Sequence, residues 1–510
     1  MKLRYHNMPS IPQLAWCAQV AAASDDVDVW HGPSVETRPE SFVEGIWDGD
    51  FSEHCFDGRC LMGSGGLVRN GRIVFASPWH TLENIFLVVQ DTRIAVSNSL
   101  PFLLEHCGLH LDVQYPGYHH ALCSIRRGIR DCIRHIPSTE GPGIEIIRHA
   151  NIVIDRNLNL TRRKKAPLPD WAGFAGYRRL MSGIISRLVE NASSSLRKKK
   201  YNLVTTISTG YDSTAASVLA YEAGCRRGIT FSTGIEYPSN GQRVPDSGAG
   251  IGKILGLEMT EFEVEDFKIR NNETAAEFAA CGDGLDLQFA AFEPQLSDAV
   301  LFTGHPGSYW GPHYPKNTQL ARQDVAGISL AEFRIRTGFV HVPVPAITGP
   351  HQPQIVDLSR SAEMKPWSVG QDYDRPVPRR IVEEAGVPRE MFGQVKKGSF
   401  CSICLGRFMW HPTSDFQSFC YSALRQRSVR RHAAHLAAFV SGRFFLELRR
   451  AQSRLLTGTI APPIMTDCDL PHPGPPSVMV QWGTEVLRRR YRNATGRDLL
   501  PEHRCMSGRD

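Results

Sequence analysis

Residues 201–224, YNLVTTISTGYDSTAASVLAYEAG, constrain the fold most, because a strand pattern passes through a short polar turn into a helix pattern. Residues 203–207 are apolar and β-branched, as in a parallel strand buried on both faces, and residues 214–223 are rich in helix formers. The turn therefore opens a helix, where unpaired backbone N–H groups and the positive end of the helix dipole favour an anion. We expect phosphate to bind at this turn.

The side chains of the turn extend that expectation to a metal. Asp212 places a carboxylate inside an anion site, which requires a cation, and oxygen ligands suit Mg²⁺. An ordinary N-capped turn without a ligand is the alternative. The predicted metal ligand is Asp212, and the predicted nucleotide-binding residues are Ser208, Thr209, Gly210, Asp212, Ser213 and Thr214.

The hexapeptide STGYDS at residues 208–213 resembles the SGGxDS signature of the PP-loop ATP pyrophosphatases, and within them the synthetase domain of the asparagine synthetase family. The resemblance implies ATP as cofactor, cleaved between its α and β phosphates, and adenylation of a substrate. Thr209 departs from the family pattern, which has glycine there, and its Cβ restricts how closely the backbone approaches a phosphate.

The chain around the turn alternates between strand and helix patterns, which predicts a doubly wound parallel sheet. Ligands of such sheets gather at the carboxyl ends of the strands. A helix over residues 171–196 leads into the sheet. The predicted strands are 203–207, 229–232, 259–264 and 299–303, and the predicted helices are 214–223, 246–255 and 273–280.

The chain from Val43 to about Asn159 consists of short alternating segments separated by turn residues, which predicts hairpins in an antiparallel sheet. The segments FVEGIWDGDF and RIAVSNSLPFLLEHCGL look like the amino-terminal glutaminase-type domain of asparagine synthetases, an αββα sandwich. That domain uses an N-terminal cysteine as nucleophile, whereas Lys2 follows Met1 here and Cys17 is the nearest cysteine. We therefore predict a degenerate domain without its nucleophile, and an amine other than ammonia released from glutamine.

With 510 residues, the chain is too long for one ordinary core. The predicted domains are a degenerate glutaminase-like domain (1–165), an asparagine synthetase-like ATP-binding domain (166–405) and a helical C-terminal extension (406–510), which ends in a helix over 478–491.

Two later segments bear on the predicted metal site. Asp246 stands where the family has an acidic residue that opens the second helix, and residues 300–310 resemble the loop that supplies a second metal-binding aspartate. Ser308 occupies that aspartate's place, so the implied site lacks one carboxylate unless Asp283 or Asp286 replaces it. His305, in the same loop, is interpreted as a structural histidine rather than a phosphate ligand.

The segment MFGQVKKGSF follows a predicted helix over 378–385 and resembles the place where asparagine synthetases and β-lactam synthetases carry an essential lysine. That resemblance implies an ammonium that stabilises charge on the α-phosphate or the acyl intermediate. The spacing favours Lys397 as the catalytic residue and leaves Lys396 open, and a lysine pair at the surface is the alternative.

Composition limits the class of protein. The sequence is 42% hydrophobic and 22% charged, with a net charge of +6 and mean hydropathy of −0.26, as in globular proteins. It contains neither a signal-peptide pattern nor an apolar run of about 18 residues, which predicts a cytoplasmic protein outside the membrane. Thirteen cysteines in a long chain indicate reduced thiols, and the CxxC pair Cys401 and Cys404, with His411 nearby, indicates a structural or incidental pair rather than zinc.

The predicted function is that of an ATP-dependent, AMP-forming ligase that adenylates a small-molecule carboxylate and transfers it to an amine. The alternative is a catalytically inactive nucleotide-binding or scaffold homologue. A nucleic-acid-modifying PP-loop enzyme is disfavoured because the positive charge is dispersed, and the basic run at residues 197–200 is predicted to be solvated surface. The sequence is compatible with a homo-oligomer.

Overall fold

The computed structural model describes residues 1–139, 141–236, 243–269, 272–282, 284–312, 319–370, 373–395, 397, 415–416, 418–419, 422 and 475–495. The predicted extension over 406–510 is therefore described mainly through its last helix. Several residues that the sequence singled out lie outside the described residues: Asp283, Lys396, Cys401, Cys404 and His411.

Two packed β-sheets form the first third of the chain. One sheet has seven strands in the order β1-β3-β2-β9-β8-β11-β10, and the other has six in the order β13-β12-β7-β6-β5-β4. The strands are β1 Lys2–Asn7, β2 Trp16–Ala21, β3 Asp26–His31, β4 Glu36–Arg38, β5 Ser41–Ile46, β6 Met62–Arg69, β7 Arg72–Ala76, β8 Ile85–Gln90, β9 Arg93–Ser97, β10 His135–Ile136, β11 Ile144–Ile147, β12 Ala150–Ile154 and β13 Leu160–Lys164.

Apolar side chains from both sheets fill the space between them, including Trp16, Phe42, Phe75 and Leu87. The outer face of the seven-stranded sheet is covered by the helices α1 (Leu100–Cys107) and α2 (Tyr118–Cys123). Neighbouring strands are antiparallel, as predicted, except that β1 runs parallel to β3. The sheet structure begins at Lys2 rather than at Val43, because the alternating segment KLRYHN forms an edge strand.

A five-stranded parallel sheet forms the second part of the molecule, in the order β18-β15-β14-β19-β20. A separate hairpin, β16 and β17, follows β15 and was not predicted. The strands are β14 Asn202–Thr206, β15 Arg227–Phe231, β16 Thr233–Glu236, β17 Arg243–Pro245, β18 Glu258–Phe262, β19 Ala299–Thr303 and β20 Val340–Pro343.

Helices cover both faces of the parallel sheet. Val300 and Phe302 of β19 pack into the cluster that contains α3 and α4, whereas Leu301 packs with α6 and α8 on the opposite face. In the described part of the chain, no helix is both long enough and apolar enough to cross a bilayer. The helices are α3 Gly173–Ala192, α4 Tyr211–Glu222, α5 Ala249–Leu255, α6 Asn272–Ala280, α7 Glu293–Leu296, α8 Ala331–Thr337, α9 Gln352–Ser359, α10 Pro376–Glu384 and α11 Pro475–Thr495.

Buried ionic contacts join the two parts. Arg334 of α8 forms ion pairs with Glu44 at 2.7 Å and Glu83 at 2.8 Å, and all three side chains are at most 5% exposed. Arg197, predicted to be solvated, is 7% exposed and donates to the carbonyl oxygen of Gly45 at 3.0 Å. The prediction for this basic residue was wrong because its aliphatic stem and guanidinium fill the interface, where the guanidinium lies 4.3 Å from the centre of the Phe51 ring.

Candidate functional site

The turn at residues 208–213 lies at the carboxyl end of β14, the central strand of the parallel sheet. The strand order reverses between β14 and β19, and the two strand ends approach each other closely. A Cβ added to Gly304, just after β19, would lie 2.4 Å from the backbone nitrogen of Ser213. In open α/β sheets, ligands bind at such a reversal of strand order, so the fold positions the turn where a ligand site is expected.

Hydrogen bonds within the turn engage most of its hydroxyl groups. The Oγ atoms of Ser208 and Ser213 lie 2.8 Å apart, and Thr214 Oγ1 donates to the carbonyl oxygen of Ser208 at 2.8 Å. These three side chains are buried. Ser208, Ser213 and Thr214 were predicted to bind a nucleotide. Their hydroxyl groups can donate to such a ligand only if these internal hydrogen bonds rearrange.

Asp246 fixes the second residue of the turn. Its Oδ1 accepts hydrogen bonds from both the backbone nitrogen and the hydroxyl of Thr209, the first at 3.1 Å. Asp246 is 2% exposed. The acidic residue expected at the start of the second helix thus holds the backbone of the turn, and α5 begins three residues later, at Ala249.

The start of α4 has the open amide end that anion binding requires. Gly210 is its N-cap and offers no side chain to the first helical amides, while the backbone nitrogen of Gly210 itself donates to Ser208 Oγ at 3.1 Å. Thr209, Gly210 and Asp212 are partly exposed, in contrast to the rest of the turn. Since the first amides of a helix have no partners within it, this end of α4 can accept an anion.

Asp212 forms an ion pair with Arg375 rather than facing solvent. Arg375 Nη1 lies 2.7 Å from each carboxylate oxygen and also donates to the carbonyl oxygen of Gly307. The side chains of Asp212 and Arg375 are 19% and 10% exposed. Burial disfavours the charged guanidinium most strongly, but Asp212, Tyr373 and Asp324 together favour it, so the pKa of Arg375 is raised.

The predicted Mg²⁺ site does not fit this arrangement. A protein-held Mg²⁺ needs free carboxylate oxygens, and both oxygens of Asp212 are engaged by a guanidinium. No group of three or more histidine, cysteine or acidic side chains with metal-binding proximity occurs among the described residues. We therefore derive no chemical step through a metal ion at this turn.

The residues considered as a second metal ligand have other partners. Asp286 is fully buried, and its carboxylate accepts hydrogen bonds from the backbone nitrogens of Gly327 at 2.9 Å and Ser329 at 3.2 Å. Ser308 is 2% exposed, and its hydroxyl accepts a bond from the backbone nitrogen of Gln323 at 3.5 Å. Both side chains stabilise loops in this structure.

Aromatic side chains pack beside the turn. The ring of Tyr211, the first residue of α4, lies 4.9 Å from that of Tyr373, and Arg379 stacks over it at 4.8 Å while donating to its hydroxyl. Gly393 donates from its backbone nitrogen to the carbonyl oxygen of Thr209 at 2.8 Å. The positive φ of Gly393, 64°, and a close approach to Tyr211 favour glycine at this position.

Lys397 lies near the turn but contacts it indirectly. Its Nζ donates to the carbonyl oxygen of Pro245 at 2.7 Å, and the next residue, Asp246, binds Thr209. Lys397 is therefore linked to the turn through Pro245 and Asp246, and its side chain is partly exposed.

Two other residues that the sequence singled out are buried. His305 is 7% exposed, and burial lowers its pKa to about 4, so the ring is neutral near pH 7 and suits a structural role. Cys17 lies fully buried in β2, where burial raises the pKa of its thiol well above the ordinary range. This thiol is therefore not available as a thiolate nucleophile.

Sequence reasoning missed Arg375, Tyr373 and Arg379 as parts of the site. The relevant signal was Asp212, since an acid at a helix N-terminus requires a cation. Sequence analysis assigned that cation to a metal, and an arginine more than 160 residues away supplies it instead.

No protein-family model matches the chain, and no curated protein matches it significantly. The resemblance to asparagine synthetases therefore remains a resemblance of the quoted motifs.

Proposed function

We propose that the protein is an ATP-dependent, AMP-forming ligase, similar to the synthetase half of asparagine synthetases. In this proposal the second part of the chain is a PP-loop domain and the first a glutaminase-like sandwich without its nucleophile. The observation that most supports it is the position of the turn 208–213. It follows the central strand, opens α4 with uncapped amides, and lies where the strand order reverses.

The proposed reaction has two steps. A carboxylate oxygen of the substrate attacks the α-phosphorus of ATP, and the bond to the β-phosphate oxygen breaks, releasing pyrophosphate. An amine nitrogen then attacks the acyl carbon of the acyl-adenylate, an amide bond forms, AMP leaves, and the amine loses a proton to solvent.

Three groups of this chain are suited to the charge that the reaction moves. The amides at the start of α4 face the phosphates, and Arg375 neutralises Asp212, whose carboxylate would otherwise repel them. Lys397 stabilises charge on the α-phosphate once it leaves the carbonyl oxygen of Pro245. Any Mg²⁺ enters the proposal as an ion carried by the nucleotide.

A nucleotide-binding protein without catalytic activity is the second candidate. The pairing of Asp212 with Arg375 favours it, because a carboxylate held by arginine is withdrawn from metal binding. The two candidates predict the same nucleotide binding and differ in turnover.

Nucleotide binding is tested first, by titrating the full-length protein with ATP in a calorimeter. Both candidates predict saturable binding that weakens when Gly210 is replaced by a residue with a Cβ, as in Gly210→Val, because bulk is added at the amide end of α4. Absence of ATP binding in the folded wild-type protein would reject both.

Turnover is tested by pyrophosphate–ATP exchange with a panel of carboxylates. The ligase proposal predicts exchange with at least one carboxylate and a loss of about 100-fold in Lys397→Ala, as for removal of a charge that stabilises the transition state. Lys253→Ala is the matched control, since Lys253 is an exposed lysine on α5 outside the site, and should leave exchange unchanged. ATP binding without exchange on the whole panel would support the non-catalytic candidate.

A further inference from the structure

A cavity of about 650 Å³ lies between the sandwich and later segments of the chain that precede and follow β20. Strands β11, β12 and β13 line one side, and Leu320 and Pro350 contribute from the other. Its volume lies within the range of about 300–1,000 Å³ typical of sites for small organic ligands. None of its lining residues belongs to the turn 208–213, so the cavity is separate from the candidate site described above.

Positive charge is concentrated in this cavity. Glu145 is the one carboxylate among the described residues that line it, although the whole chain has nearly as many acidic residues as basic ones. Six lysine and arginine side chains line it: Arg130, Arg134, Arg148, Arg162, Lys164 and Lys165.

Two of these six cations form ion pairs with acidic side chains. Arg162 binds Glu145, with Nε at 2.7 Å from Oε1, and Arg130 lies 3.6 Å from Asp131. Within the described part of the chain, none of the other four cations has a carboxylate within 4.0 Å. The cavity therefore carries positive charge that the protein does not neutralise.

Two of the four unpaired cations are buried, which makes their charge costly unless an anion approaches. Arg148 is 5% exposed and donates to the carbonyl oxygens of Ile133 and Ala121, and its Nε has no hydrogen-bond partner. Lys165 is 9% exposed and donates to the carbonyl oxygen of Ser77 at 2.7 Å. Burial lowers the pKa of Lys165 to about 7, so its amine is only partly charged near pH 7, and a nearby anion would favour the charged form.

The walls between the cations are apolar and include an aromatic ring. Trp79, Ile147, Leu320 and Pro350 line the cavity. The indole nitrogen of Trp79 donates to the carbonyl oxygen of Ile347 at 2.8 Å, which fixes the ring. A ligand that fits this lining combines an apolar or aromatic body with a negative group.

We propose that this cavity binds a small organic anion whose carboxylate or phosphate group lies among Arg134, Arg148, Lys164 and Lys165. Its apolar body packs against Trp79 and Leu320. This site goes beyond the proposed ligase function and rests on different residues, so either proposal can fail without the other.

Calorimetric titration of the full-length protein without ATP tests this site. The probes are phenyl phosphate, benzoate and the neutral benzyl alcohol, which share a ring and differ in the charged group. We expect saturable binding of at least one anion and at least about tenfold weaker binding of benzyl alcohol, since only the anions gain from the unpaired cations. The tighter of the two anions identifies phosphate or carboxylate as the preferred group.

The double variant Lys164→Glu/Arg134→Glu locates the binding. Both side chains are exposed at the rim of the cavity, so the fold should persist, which an unchanged thermal midpoint would verify. We expect a loss of at least about tenfold in affinity. Lys2→Glu, an exposed charge reversal on β1, which lies at the edge of the seven-stranded sheet opposite β10, should bind as the wild type does. Absence of saturable anion binding, equal binding of benzyl alcohol, or unchanged affinity in the double variant would each overturn the proposal.

Discussion

The carboxylate of Asp212 is paired with a side chain from a distant part of the chain. A carboxylate at a helix N-terminus meets the partial positive charge of the amides, yet it would repel the anion that the proposed function places there. A neighbouring cation resolves the conflict, and Arg375 provides it at 2.7 Å. The sequence indicated a cation beside Asp212, and the structure places the guanidinium of Arg375 there.

Removing the carboxylate of Asp246 should destabilise the turn. Asp246→Ala leaves the amide and hydroxyl of Thr209 without their acceptor in a nearly buried place, at a cost of about 1–3 kcal/mol. Asp246→Asn keeps an acceptor oxygen and should lose less. Urea unfolding of the two variants measures the difference, and an alanine variant as stable as the asparagine variant would contradict this account.

At the scale of elements, β14, β15 and β19 were predictable because their apolar and β-branched residues are largely buried, whereas β18 is partly exposed along its length. Strand β19 occupies residues 299–303 as predicted, and β14 and β15 differ from prediction by one or two residues. Helix α4 begins at Tyr211 rather than at 214, because residues assigned to the polar turn form its first turn. Hairpin β16–β17 has no comparable apolar run.

The site was less predictable than the fold, since its partners come from distant segments. The turn and Lys397 could be identified by their local motifs, and the structure brings the two segments near each other. The partner of Asp212 has no local signal, because Arg375 precedes a helix that a sequence pattern locates without revealing what its residues contact. Long-range ion pairs of this kind depend on the packed fold.

Helix α3 allows a test of how helix propensity contributes to the stability of the protein. Gly176 lies inside α3, and an added Cβ would meet Trp171 at an ordinary 3.6 Å. Gly176→Ala should therefore stabilise the protein by about 0.5–1 kcal/mol, through the better helix propensity of alanine. Its thermal midpoint should rise.

Gly224→Ala is the matched control for that substitution. A Cβ there would have no atom within 4 Å, but φ is +107°, which alanine adopts with strain. Its thermal midpoint should fall. If both variants shift in the same direction, helix propensity is not the cause of the gain at Gly176.

At the scale of the whole molecule, buried acids lie where separate parts of the chain meet. Glu332 of α8 is 5% exposed and accepts a hydrogen bond from the hydroxyl of Ser99, in the first part of the chain, at 3.1 Å. Burial raises the pKa of Glu332 to about 8. The folded state therefore keeps this proton in a pH range in which the unfolded chain releases it.

Glu332→Gln should consequently stabilise the protein in a pH-dependent manner. An ordinary glutamate has a pKa of about 4.3, so the wild type loses stability as the pH rises from about 4.3 to about 8. Glutamine does not titrate, and its advantage should grow across that window to the order of a few kcal/mol. Thermal midpoints measured near the two ends of the window check this.

The control for the pH dependence is Glu258→Gln, at an exposed position at the start of β18. It should show no gain that grows with pH. An equal gain for Glu332→Gln at both ends of the window would contradict a buried, protonated acid.

The ion pairs of Arg334 with Glu44 and Glu83 predict how the protein behaves when it is expressed as two separate fragments. A division of the chain between residues 165 and 200 would expose Glu44 and Glu83 on the first fragment without their cation. It would expose Arg334 on the second fragment without its carboxylates. Each half expressed alone should be poorly soluble, and co-expression of the two fragments should restore a soluble complex.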